Sequence, residues 1–459
     1  MPDSSPWTAL VHAPPFFPSS MVLLTDGTVM AQDSSGNGQW WKLTPDSTGS
    51  YVDGTWSQIA SMPPGYAPLY YASAVLPDGR VIVEGGEYNG TGRQAVWTNQ
   101  GAVYDPGANT WTSVAPPGGP GWTSIGDAPS TVLADGQFML GSCCSTSDAL
   151  LDPTTLTWTP TGTGKADSNN EEGWTLLPDG DVLTVDVDNS RPQQSEIYSP
   201  VTGGWTNAGI TPAKLPKKFE TGPQLLQPDG DVFAAGASGK TALYDTSTGL
   251  WSAGPSFPKI HHKAYVVADG PSAILPDGNV LVDASPKGKK PVHFFVFDGT
   301  SLTQVADSPN AGQSASYYGR MLVLPTGQVL FNDDGAFEIY TDSGSPQPGW
   351  APQITGAPTA LTAGDTYTVS GSQLNGLTQG AAYGDDYQSA TNYPLVRITN
   401  TATGDVSYAP TSGMTSMSVA PGVSSSASFT VPLGIETGPS TLTVVANGIA
   451  SAPLAVTVS

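Results

Sequence analysis

Seven times along the chain an apolar run breaks at a turn pair and resumes. The copies read LLTDGTVM around Asp26, VLPDGRVI around Asp78, VLADGQFM around Asp135 and LLPDGDVL around Asp179. They continue as LLQPDGDVF around Asp229, ILPDGNVL around Asp277 and VLPTGQVL, where Thr326 replaces the Asp. Apolar residues on both sides of Asp-Gly are the strongest short-range signal for a β-hairpin. A second phrase follows each first one: VYDPGANTW (103–111), LLDPTTLTW (150–158), IYSPVTGGW (197–205) and LYDTSTGLW (243–251). Weaker copies stand at Leu43–Trp56, Phe297–Leu302 and Ile339–Asp342. Seven pairs of hairpins predict seven four-stranded sheets. Successive copies lie 44 to 57 residues apart, and a period near 50 is that of a kelch-type β-propeller. One long β-sandwich would not repeat the paired phrases.

The pattern also predicts how the ring closes. The outermost strand of each complete copy carries Trp-Thr or Trp-Ser, at Trp111, Trp158, Trp205 and Trp251. The seventh copy lacks this after Tyr340, and Trp7-Thr8 supplies it from the N-terminus. The repeat ends after Pro346. From 351 to 459 the chain alternates in short strands such as TYTVSGS, PLVRITN, ASFTVP and STLTVVA, with turns every 8–12 residues, which is the pattern of an immunoglobulin-like β-sandwich. The expected fold is all-β: a seven-bladed propeller over 1–346 followed by a sandwich over 351–459.

Composition agrees. Charged residues make up 12% of the chain, about half of usual soluble content, while 54 Gly and 42 Pro together far exceed usual content. Such a chain excludes a helical bundle. The net charge is −23. Binding a phosphate backbone needs clustered Lys and Arg, and the only basic clusters are Lys214–Lys218 and Lys287–Lys290, so nucleic acid is excluded as the main partner. No stretch reaches the roughly 20 apolar residues needed to span a bilayer, and a soluble monomer is expected. The low Lys content and the Ser/Thr/Gly-rich surface suggest secretion. No apolar signal segment follows Met1-Pro2-Asp3, so an export signal is expected to have been removed.

Counting back eight residues from each Asp-Gly turn reaches the start of the inner strand. These positions are Pro18, Tyr70, Asp127, Glu171 (beside Glu172), Asp269 and Tyr318, with the acid displaced to Glu220 in the fifth copy. Four consecutive blades therefore each offer a carboxylate at the mouth of the central channel. Three readings are open. The acids cap loop N–H groups or pair with Lys217, Lys218 and Lys263. Alternatively, like charges force their pKa values apart and leave one acid and one base, the pair that glycoside hydrolysis uses. Third, all-oxygen ligands hold a cation, with Ca²⁺ favoured. Tyr70, Tyr71, Tyr317 and Tyr318 lie at the same strand starts. Loops after the second strands add Tyr88, Asn89, Arg93 and Trp97, then Asp188, Asn189 and Arg191. Aromatic, amide and guanidinium groups suit sugar rings and hydroxyls. His261-His262 precede Asp269 and are candidates for the rim. Cys143-Cys144 lie after the second strand of the third blade, and whether they join in a strained vicinal disulfide stays open.

A propeller followed by a sandwich resembles the galactose oxidase and glyoxal oxidase family. The resemblance is most specific at Tyr383-Gly384-Asp385-Asp386, Asn392-Tyr393-Pro394-Leu395-Val396-Arg397 and Gly438-Pro439-Ser440. It implies copper held by two His and two Tyr, one Tyr cross-linked to Cys. The matching positions here are Tyr70-Tyr71-Ala72, Asp127, Tyr317-Tyr318-Gly319 and Tyr408–Gly413. None of them holds a His or Cys, and the four histidines, His12, His261, His262 and His293, stand elsewhere. Copper(II) favours imidazole, so copper-radical chemistry is not expected. Two functions remain in view. One is a secreted enzyme, a hydrolase or lyase, acting on a glycan or other polyhydroxylated substrate through Asp127, Glu171, Glu172, Glu220 and Asp269, with no metal or with Ca²⁺. The other is a glycan-binding propeller without catalysis.

Overall fold

The computed structural model describes residues 5–92, 95–188, 194–218, 220–333 and 335–459. Each turn phrase folds as a hairpin between two inner strands. In the first, the Gly27 N–H donates to Leu24 O at 3.0 Å and the Leu24 N–H to Thr28 O at 2.7 Å. This is a three-residue loop ending on a left-handed glycine, where a two-residue turn is the commoner hairpin connection. Gly27 and its six counterparts have φ between +76° and +101°, a region that L side chains avoid. The Asp locks the turn from its side chain: Asp26 Oδ1 accepts the Thr28 N–H at 2.9 Å. Asp78, Asp135, Asp179, Asp229 and Asp277 repeat that bond to the amide two residues on.

The hairpins pair into seven successive antiparallel sheets among the described residues, an arrangement consistent with a β-propeller. Their innermost strands are Pro18–Leu23, Ala72–Val75, Ser130–Val132, Thr175–Leu176, Gln224–Leu226, Ser272–Ile274 and Arg320–Val323. The first of these packs beside the last. The N-terminal strand Trp7–Ala9 forms the outer edge of the seventh sheet, with Trp7 opposite Tyr340. The outer-strand tryptophans link each blade to the one before. Trp111 Nε1 donates to Ala60 O at 2.9 Å, Trp158 to Ala115 O at 2.8 Å, Trp205 to Asp148 Oδ2 at 2.6 Å and Trp251 to Ser195 Oγ at 2.8 Å. Trp7 completes the series on Ala306 O at 2.7 Å.

Residues 353–458 form two further sheets. One runs Gln353–Gly356, Thr366–Ser372, Ser424–Thr430, Thr411–Ser412; the other centres on Leu395–Asn400 and Gly438–Ala446. They lie against the turn side of the ring: the Met414 N–H donates to Pro77 O and the Met417 N–H to Ala134 O. A buried core runs continuously from the first blades into these sheets.

From the C-terminal sheets, residues 374–393 thread the central channel, and nearly every one is buried. Ala381–Ala382 adds a strand to the sixth blade. Gln379 binds the third and fourth blades through Thr131 Oγ1 and the Leu176 N–H. Ser389 Oγ donates to Met321 O of the seventh, and the Tyr387 hydroxyl meets both backbone groups of Met21 in the first. Through this segment the C-terminal sheets contribute side chains to the opposite face of the ring.

Candidate functional site

Antiparallel strands place the residues that precede every inner strand, and those that follow every second strand, on one face. There Asp127, Glu171, Glu220 and Asp269 line a single cavity of about 200 Å³. Tyr70, Tyr88 and Tyr317 share its wall. The channel segment adds Tyr383, Asp385 and Asp386, and the second blade adds Glu87. Tyr70, Glu171 and Asp269, at equivalent strand starts, all have left-handed backbone, with φ of 54°, 58° and 45°. Each such residue costs about 1–2 kcal/mol relative to ordinary conformations, and strain of this kind collects at functional sites. Gly384 lets the channel segment approach: a Cβ there would stand 3.0 Å from Asp269 Cα and 2.8 Å from its Oδ1.

The carboxylates form two overlapping triads. Ligand oxygens of Asp127, Glu171 and Asp385 lie within 4.8 Å of one another, as do those of Glu171, Glu220 and Asp269. Glu171 belongs to both. Buried Asp127 Oδ1, Asp385 Oδ1 and Asp386 Oδ1 have no hydrogen-bond partner among the described residues, nor do Glu220 Oε2 and Asp269 Oδ1. Burial and then the charge of Asp385 push Asp127, Glu171, Asp269 and Asp386 above the usual carboxylate range. Glu220 is raised by burial, against a hydrogen bond with Asp269. The nearest buried cation is Arg320. Its guanidinium lies 4.1 Å from the Tyr383 ring centre and donates to Tyr317 O and Gly319 O at 3.0 and 2.8 Å. The Cys143 sulfur stands 2.7 Å from that of Cys144, both being free cysteines.

Other sequence candidates lie elsewhere. Glu172 faces away from its neighbour Glu171 into the blade interior, where Lys165 Nζ binds it at 3.0 Å and Glu196 at 2.7 Å. Asp167 and Asp186 surround it. Tyr71 is buried and donates to Gln32 Oε1 at 2.8 Å. Tyr318 stacks on Tyr317 but lines other hollows. His261 and His262, with φ of 47° and 64°, are the two turn residues between Lys259–Ile260 and Lys263–Ala264, and they point into solvent. Arg93, Asn189 and Arg191 lie outside the described residues. Among the described residues no ion pair joins the acids to Lys217, Lys218 or Lys263.

No protein-family model matches the chain. Over 269 residues it is 25% identical to the kelch-like protein terF of Aspergillus terreus, covering 51% of this chain and 54% of that protein. The chain thus spans about half the length of the curated relative it matches. A fungal alcohol oxidase of the AA5 family, solved in complex with copper, superposes with a TM-score of 0.54 at 15% identity over 99% of both chains. The chain shares the β-propeller fold of that oxidase. YCF48 bound to D1 peptide shares the fold with a TM-score of 0.51 at 13% identity, over 75% of this propeller chain and 98% of that one. At these identities the likeness to solved structures is one of fold.

Proposed function

We propose that this propeller is a secreted, monomeric enzyme that uses a divalent cation at the Asp127–Glu171–Asp385 triad to act on a glycan or other polyhydroxylated substrate. The observation that carries this reading is the pair of triads sharing Glu171, with Asp127 Oδ1 and Asp385 Oδ1 buried and meeting no donor among the described residues. An all-oxygen donor set suits Ca²⁺, Mg²⁺ or Mn²⁺. Such a cation polarises a substrate oxygen or acidifies a bound water, and a neighbouring carboxylate takes up the released proton. We read the C-terminal sheets as an immunoglobulin-like sandwich whose channel segment completes the donor set. The donors suit copper poorly. The cavity wall holds four tyrosines but no His, and copper(II) favours imidazole.

Proton sharing without metal is the second reading, and specific contacts favour it. Glu171 lies against Asp385, Asp385 against Asp386 and Glu220 against Asp269, and a proton shared within each pair would relieve the like charges. Glycosidase carboxyls, however, stand roughly 5–9.5 Å apart to admit the bond and the water. The oxygens of Glu171 and Asp385, like those of Glu220 and Asp269, lie within 4.8 Å of each other, short of that range.

The test is elemental analysis after dialysis against Ca²⁺, Mn²⁺ or Cu²⁺, with a polysaccharide turnover screen run with and without chelator. Stoichiometric Ca²⁺ or Mn²⁺, lost in Glu171→Gln, and turnover abolished by chelator support the cation. Turnover indifferent to chelator supports proton sharing. Stoichiometric copper overturns both.

A further inference from the structure

The acids are not the only charges gathered on this face. A second pocket, of about 530 Å³, adjoins the carboxylate cavity and shares Glu220, Asp269 and Tyr317 with it. Its size falls in the usual range for ligand sites, roughly 300–1,000 Å³. Its lining also includes Lys217, Lys218 and Lys287, all exposed. None of the three makes an ion pair among the described residues. Nine of the chain's 16 basic residues fall between Lys214 and Lys290. All nine stand in or beside connections on the cavity side: before the inner strands Gln224–Leu226 and Ser272–Ile274, or after the second strands Asp231–Ala235 and Val280–Ala284.

In a chain of net charge −23, this concentration gathers positive charge beside the carboxylate cavity. Like charges gathered at a concave site draw ligands of the opposite sign. Lys218 and Lys287 also adopt left-handed backbone, with φ of 58° and 57°, where Gly or Asn would sit with less strain. Long cationic side chains thus occupy positions that the turn alone would not select.

We propose that the substrate is an acidic sugar, whose oxoanion — a carboxylate, sulfate ester or phosphate ester — seats against Lys217, Lys218 and Lys287 while its ring reaches the carboxylate cavity. The inference deepens the glycan reading above and rests on it. The shared wall of Glu220, Asp269 and Tyr317 lets one ligand touch both compartments. A nucleic acid fits less well. Its backbone calls for a basic track matched to many phosphates, whereas here three lysines share one pocket with Glu220 and Asp269.

The experiment is calorimetric titration with 1 mM Ca²⁺ at 20 and 300 mM NaCl. The probes are an oligogalacturonide, a sulfated galactan oligosaccharide, a phosphomannan oligosaccharide, neutral galactotetraose and duplex DNA. The proteins are wild type, the pocket variant K217Q/K218Q/K287Q and the control K289Q/K290Q, whose exposed lysines lie outside the pocket lining. We expect at least one acidic oligosaccharide to bind at least tenfold more tightly than galactotetraose, and more weakly at high salt. The pocket variant should lose that preference tenfold or more, while the control stays within twofold of wild type. The three acidic probes identify which oxoanion is meant. The inference is overturned if galactotetraose binds equally well, if no acidic oligosaccharide binds, if the pocket variant matches wild type, if the control loses as much, or if DNA binds most tightly. Ca²⁺ and Mn²⁺ titration of the same proteins reads the cation separately: uptake should be equal in wild type and the pocket variant. Failure of uptake in both sinks the cation and leaves the lysine result standing.

Discussion

Replacing Glu171 by Gln should stabilise the protein when no cation is present and deprive it of stabilisation when one is. Glu171 sits in both triads, its ligand oxygen within 4.8 Å of those of four other carboxylates. At that separation and an effective dielectric constant of 20, one like-charge pair costs about 3.5 kcal/mol. The alternative is for the site to take up a proton. For a glutamate of ordinary pKa, about 4.3, protonation at pH 7 costs about 3.7 kcal/mol. The two routes agree, so Gln should relieve about 3 kcal/mol while still donating to Asp385 from its amide. Unfolding entropy is about 2.1 cal/mol/K per residue. For 459 residues unfolding together that is about 1 kcal/mol/K, so in chelator at pH 7 the melting temperature should rise about 3 °C.

The sign with pH follows from linkage. Asp127, Glu171 and Asp269 are raised in the fold, so the native state holds protons that the unfolded chain releases. Wild-type stability should therefore grow as pH falls from neutral towards the unfolded pKa of about 4, and level off below it. At pH 4 the advantage of Glu171→Gln should vanish. A cation at 1,000 times its Kd adds about 4 kcal/mol to wild type and little to the variant, so wild type should then melt higher. Differential scanning calorimetry at pH 7 and pH 4, each in EDTA and in excess Ca²⁺ or Mn²⁺, covers the four conditions. A variant that melts below wild type at pH 7 in EDTA would refute the reasoning, because Glu171 would then be a satisfied structural acceptor.

Lys165→Met should strand the buried carboxylates of Glu172 and Glu196. Removing one partner of a buried pair costs about 3–5 kcal/mol, and an unchanged melting temperature would sink that account. Gly384→Ala should push the channel segment off Asp269 and displace Asp385, lowering Ca²⁺ or Mn²⁺ affinity at least tenfold by titration while the far-UV spectrum stays that of wild type. Trp7→Ala should cost about 3–5 kcal/mol, as for other buried aromatics cut to Ala. The indole packs on Phe294, Phe331 and Tyr340, and limited proteolysis should then cut first at the opened seventh blade.

The blade pattern was legible because one set of forces writes it into every copy. A tight turn needs a left-handed glycine and an Asp to hold the next amide, and the outer strand needs an indole donor for the preceding blade. Both requirements recur at fixed chain spacing, so they surface as phrases. Trp7 could be assigned to the last blade from sequence because the seventh copy lacked the donor that the second to fifth copies carry. The loop length was less legible: Asp-Gly marks the turn, but Thr25-Asp26-Gly27 close it together, which the backbone bonds of Leu24 reveal.

The site was legible only where it follows the repeat. Asp127, Glu171, Glu220 and Asp269 stand at equivalent or neighbouring strand starts, so counting from the turns finds them. Side-chain direction does not follow from that count: of the neighbours Glu171 and Glu172, and of Tyr70 and Tyr71, one faces the cavity and the other the blade interior. The turn at His261-His262 places two polar residues in sequence near Asp269 and in space away from it. Asp385, Asp386 and Tyr383 escape the count altogether, because they arrive from a different part of the chain through the channel. Their signal was present as Tyr-Gly-Asp-Asp, a phrase that carries the family resemblance but does not show that Gly384 packs against Asp269. Arg320 left a clearer trace, as the one charge in the inner strand Arg320–Val323. A cation in an apolar strand requires an anion or a ring nearby, and the fold supplies both in Asp386 and Tyr383. The Arg320 charge acts on Asp386 and Asp283, whereas burial and like charges dominate at Asp127, Glu171 and Asp269, so the Glu171 triads lack a full counterion. That imbalance is what a bound cation would correct, and it is why the Glu171→Gln melting curves weigh more than any further reading of the residues.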